Sequence, residues 1–159
     1  MMERGRDFLR AQVSNSVMQH RTLLENLEDH ERQADDPRYR ELCSRYIPRM
    51  REHQRMLDEY RASLGEEGGG GVKEAVGAFL GKARDAVDAM RENDFLRVVG
   101  DVVTIRQAQD TFATFAAAGD QLGEPRLAEI GCMGETEHDE MQRDFNRLAQ
   151  QMFVELARG

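Results

Sequence analysis

The chain has no tryptophan, only three prolines and two cysteines, and aromatic residues make up just 6% of its 159 positions. Cys43 and Cys132 are too few for a disulfide framework and lack the Cys-x-x-Cys spacing of a zinc or redox motif. Lysine is confined to Lys73 and Lys82, so arginine carries nearly all the positive charge, and acidic residues outnumber basic ones to give a formal net charge of −8. An acidic chain is poorly suited to nucleic acid or to an anionic membrane surface. No apolar run reaches the roughly 18 residues of a membrane span. The opening residues, Met1 to Asp7, lead into no apolar segment, so we expect no secretory signal and a bacterial-type cytoplasmic location. What is present is 40% hydrophobic and 33% charged residues, a balance that fits one helical domain with polar outer faces and enough length for a core.

Helical periodicity dominates. Over residues 6–34, Val13, Val17, His20, Leu24, Leu27 and Ala34 recur at steps of four and three, with Leu9 before them. Asp36 is placed to cap a second helix and Pro37 to occupy its first position. That helix, residues 37–64, carries Tyr39, Leu42, Tyr46, Met50, His53, Leu57, Tyr60 and Leu64 on one face. Pro48 inside it removes a hydrogen bond and crowds the preceding turn; we expect a kink near Ser44 to Pro48 and a helix that resumes, the alternative being two short helices. Residues 65–71, rich in glycine, read as a flexible linker; four consecutive glycines lack the Lys-Ser/Thr that would make a phosphate loop. A shorter amphipathic helix is expected over 72–91, then a strongly apolar one over 95–122 and a last one over 125–157. The fold class is therefore all-α: two hairpins with short turns, joined by a long crossover containing an additional short helix.

Three of the four histidines interrupt an apolar face, each on a different long helix. His20 stands about 15 residues before the first turn and His53 about 17 after it, which at 1.5 Å rise per residue puts them within about 3 Å of one level. His138 sits about 15 residues beyond the second turn, level with Gln109. Glu135 precedes His138 by three, and residues at that spacing share a helix face and can hold one ion between them. His20, His53, His138 and Glu135 thus form a candidate site for one transition metal. Three nitrogens and one carboxylate suit zinc, iron or copper over magnesium or calcium. His30, near the end of its helix, reads as a surface residue, and Glu137, Asp139 and Glu140 as a solvated face. Gly131 and Gly134, each costing about 1 kcal/mol relative to alanine inside a helix, would admit a close approach just before His138.

Several segments resemble the YciF-like ferritin-like proteins of bacteria. The run Leu23-Leu24-Glu25-Asn26-Leu27, then Ala34-Asp35-Asp36-Pro37, then Tyr46 to Leu57 with its His-Gln-Arg-x-Leu ending, is similar to their first hairpin. Phe112 to Gly123 and the acidic stretch from Glu135 to Asp144 resemble the second. The resemblance implies a ferritin-like four-helix bundle, stress-associated and often dimeric. It places a first-helix glutamate at His20 and a second-helix Glu-x-x-His at Met50 and His53. The third-helix acid would fall within 105–109, where none stands, and only Glu135 and His138 keep the fourth-helix pair. With bridging carboxylates missing, ferroxidase or di-iron oxidase activity is not expected.

The reading carried forward is a ferritin-like bundle with a degenerate, histidine-rich metal site and a homodimer or other homo-oligomer as its assembly. The alternative is a metal-free helical scaffold acting through protein–protein contacts. An enzyme using Glu135 as a base is the weakest option, because no catalytic motif names a substrate.

Overall fold

A computed structural model of the chain describes residues 3–65 and 93–159. Four helices account for almost all of them, and there is no strand among the described residues: α1 (Glu3–Gln33), α2 (Pro37–Ser63), α3 (Asp94–Leu122) and α4 (Pro125–Ala157). Their bounds fall within a few residues of those read from periodicity. The expected helix over 72–91 and nearly all of the glycine-rich linker lie outside the described residues.

The helix ends follow local chemistry. Asp36 caps α2, its carboxylate accepting from Arg38 N at 2.8 Å, and Pro37 starts the helix where its missing N–H costs nothing. Asn93 caps α3 by accepting from Leu96 N at 2.9 Å. Gly123 ends α3 with φ +66°, a left-handed conformation that glycine adopts without a Cβ penalty. α2 continues through Pro48, which is exposed, so the two-short-helices alternative is excluded.

α1 packs against α2 and α3, and α4 against α3 and α2, giving a four-helix bundle with two antiparallel hairpins. Arg10 near the start of α1 donates to Leu64 O at 2.7 Å, which fixes the end of α2 at one end of the bundle. At the other end Asp94, the first residue of α3, accepts from Asp35 N (3.0 Å) and Asp36 N (2.7 Å) in the α1–α2 turn. Arg38 bonds Glu155 there as well, both at 2.8 Å, joining the start of α2 to the end of α4. α2 and α3 therefore run in the same direction, so α2 ends at the opposite end of a bundle about 40 Å long from where α3 begins.

α3 and α4 make the closest pair because glycines line their contact. A Cβ on Gly119 would lie 2.3 Å from Ala128 N, one on Gly131 2.2 Å from Ala116 N, and one on Gly134 2.3 Å from the Phe112 ring. Gly119, four residues before the Gly123 cap, is buried in this contact. The core fills the space between all four helices, from Leu9, Val13 and Leu127 at one end to Tyr39, Phe145 and Met152 at the other.

Candidate metal centre

Midway along the bundle, His20 from α1, His53 from α2, His138 from α4 and Phe112 from α3 bring four rings together. None of the four is more than 1% exposed. The histidine ring centroids are 5.4 Å (His20–His138), 5.6 Å (His53–His138) and 6.2 Å (His20–His53) apart. Phe112 lies 4.8 Å from His138 and 5.8 Å from each of the other two. Each ring thus borders the other three. The matched levels of the three histidines are borne out in space. Gln109 bonds Asp139 Oδ1 at 3.2 Å, next to His138, which agrees with the level expected for it; its side chain lies on the rim and outside the ring cluster. Helical side chains lean toward the N-terminus of their own helix, so in this antiparallel pair Phe112 and His138 lean toward each other and meet over Gly134.

The rings are held from outside. Gln54 donates its Nε2–H to Val17 O at 3.2 Å, which leaves its Oε1 to accept from His20 Nδ1–H at 3.0 Å. The carbonyl of Gly134 accepts from His138 Nδ1–H at 2.7 Å, and the Glu137 carboxylate accepts from His53 Nε2–H at 2.7 Å. Each donor assignment fixes a tautomer: in the neutral ring the other nitrogen keeps its lone pair. Those nitrogens, Nε2 of His20, Nδ1 of His53 and Nε2 of His138, are all buried and have no hydrogen-bond partner. Burial pushes the His20 imidazole down to about 4, against a partial offset from Gln54, with His53 nearby adding to the lowering. His138 is likewise held well below the usual histidine range, chiefly by burial and then by its neighbour His20. Both are neutral at ordinary pH.

Comparison of the chain with family models, curated proteins and solved structures gave no match. Of the residues expected to meet, the three histidines do. Glu135 is half-buried and makes no hydrogen bond to them. The carboxylate that does reach a histidine is Glu137, expected on a solvated face; it lies on the side of α4 that faces α2 and His53. Among the described residues, no three His, Cys, Asp or Glu side chains stand as a group that could hold a metal ion as placed. Gln54 was not singled out in the sequence, although its place beside His53 in the His-Gln-Arg run was its one signal.

A second buried polar cluster lies nearer the α1–α2 turn. The Asp101 carboxylate on α3 bonds the Tyr39 hydroxyl and His30 Nδ1, the latter at 2.9 Å from Oδ1 and 3.1 Å from Oδ2. His30 is 5% exposed, contrary to its reading as a surface residue. A helix packed against two neighbours buries more than a single seam, and His30 occupies the flank of α1 that meets both α2 and α3. Burial raises the Asp101 carboxyl, and the hydrogen bonds from His30 and Tyr39 work against that rise. Asp101 is the only acid among the buried polar residues described, and it is occupied by these partners.

Proposed function

We propose that this protein is a ferritin-like helical bundle whose core binds one transition-metal ion through His20, His53 and His138. The observation that carries the reading is the set of three unpartnered lone-pair nitrogens in one buried ring cluster. Leaving a buried acceptor unsatisfied costs about 1–3 kcal/mol each, and a metal ion would satisfy all three at once. The outer hydrogen bonds agree with this. Metal-ligating histidines ordinarily donate their other N–H to a carboxylate, a carbonyl or a comparable oxygen, which orients the ring and raises its basicity. Here Glu137, Gly134 O and Gln54 fill those roles. The three side chains do not stand as a closed ligand group, so loading the site would require the rings to reorient. The connection between opposite ends of the bundle supports the ferritin-like arrangement, and the stress association rests on the sequence resemblance alone. Bridging acids are lacking, so di-iron oxidation is not part of the proposal, and Glu135 is left at the margin of the site.

A metal-free scaffold is the competing reading. It is favoured by the packing of the histidines around Phe112, His20 edge-on and His53 and His138 tilted, which already fills the core, and by exposed Phe153 and Leu156 at the end of α4, which could meet a second copy. Thermal unfolding of untagged protein, stripped of metal and then titrated with zinc, cobalt(II) or copper(I), separates the two. Binding to the folded state raises the unfolding temperature, increasingly so with the logarithm of the ligand excess. We expect such a rise for at least one ion, and its loss in the His20→Leu/His53→Leu variant. An unchanged melting curve with every ion supports the scaffold.

A further inference from the structure

Zinc, iron and copper differ in the number of ligands they require and in the charge they bring into a core. The ring cluster bears on both. Its fourth side is closed by Phe112, a ring without a donor atom and 1% exposed. That ring is seated directly on Gly134, where even an added Cβ would come within 2.3 Å, so it has no room to retreat along that side. The oxygens nearest the histidines, Gln54 Oε1, Gly134 O and Glu137 Oε2, already accept the outer N–H groups. Among the nitrogen and oxygen donors, three nitrogens are what remains. Zinc takes four ligands in structural sites and three plus a water in catalytic ones, and non-haem iron sites add a carboxylate and open positions. Copper(I), a closed-shell soft ion, is stable with three.

Charge points the same way. The three ligands are neutral, and the single carboxylate bonded to the cluster, Glu137, sits behind His53 and can balance one positive charge. The cost of moving an ion from water into a core grows with the square of its charge, so a dication costs about four times as much as a monocation of similar size. One helical turn from His53 and His138, on the same faces, stand Met50 and Met141, both fully buried. The flanking side chains are thioethers, which are soft and compatible with a cuprous ion.

We infer that the three-histidine cluster is a copper(I) site, with His20 Nε2, His53 Nδ1 and His138 Nε2 as ligands and no bound water. The inference rests on the metal-binding reading above and narrows it to one ion. The test is anaerobic titration of untagged apoprotein with copper(I) against a chromophoric cuprous chelator, with zinc and cobalt(II) titrated in parallel. Expected is one copper(I) withheld from the chelator per chain, selectivity over zinc on the order of a hundredfold or more, and an X-ray absorption edge of a three-coordinate cuprous ion. Binding of zinc or cobalt(II) as tightly as copper(I), or a four-coordinate copper spectrum, overturns the copper assignment and leaves the metal site standing. Failure of every ion to bind overturns both. His53→Leu should release the copper; because the wild-type titration and edge spectrum decide the matter alone, poor folding of that variant would not obscure the result.

Discussion

His20 shows how a single buried side chain sets a pH response. Its folded-state imidazole is lowered to about 4, chiefly by burial, while in the unfolded chain it titrates near the ordinary 6.5. Between those values the unfolded chain binds a proton that the folded chain does not, so stability rises with pH across the window and falls on acidification. Metal-free protein should lose on the order of 3 kcal/mol from His20 alone as pH drops from about 6.5 to about 4, with His138 adding in the same direction. Urea midpoints of wild type and His20→Leu at pH 7 and pH 4.5 check this: the variant should show the shallower fall, and parallel curves would refute it. The positions of these histidines were legible in the sequence because an imidazole on an apolar stripe at matched height is a visible interruption. Their tautomers were not, because Gln54 and Glu137 come from neighbouring helices and from faces that periodicity assigns to solvent.

Pairs of helices depend on a few close contacts. α3 and α4 approach through Gly119, Gly131 and Gly134, and the Phe112 ring occupies the space a Cβ would take at Gly134. Gly134→Ala should therefore destabilise by roughly 1–3 kcal/mol through overpacking, even though alanine gains about 1 kcal/mol in helix propensity. Combining it with Phe112→Leu should recover part of the loss in a double-mutant cycle; a stabilised Gly134→Ala protein would show that the contact is loose. At the other end, Tyr39 and His30 together satisfy the buried Asp101 carboxylate and join α1, α2 and α3. Tyr39→Phe removes one donor and should cost about 1–3 kcal/mol in denaturant unfolding. Sequence reading located the helices and the two glycines facing Phe112. It missed the His30–Asp101 pairing, because a helix with two neighbours buries its flanks as well as its seam, and which flank is buried depends on partners distant in sequence.

At the scale of the whole molecule, Arg10 to Leu64 O closes the first hairpin at its open end, and Asp94 and Arg38 join the two hairpins at the other end of the bundle. This arrangement holds the middle of each helix at a common level, and the ring cluster forms there. The class of fold was legible because turns such as Asp35-Asp36-Pro37 and Gly123-Glu124-Pro125 mark hairpins by their chemistry. The fourth member of the cluster, Phe112, was hidden among the ordinary core positions of α3. The central claim is that three core histidines hold one ion, and metal stoichiometry on protein purified without a histidine tag tests it most directly. After reconstitution and removal of loosely held metal, elemental analysis should give about one transition-metal ion per chain, falling to near zero in His20→Leu/His53→Leu. Less than about a tenth of an equivalent in the wild-type protein, with every ion offered, would contradict it.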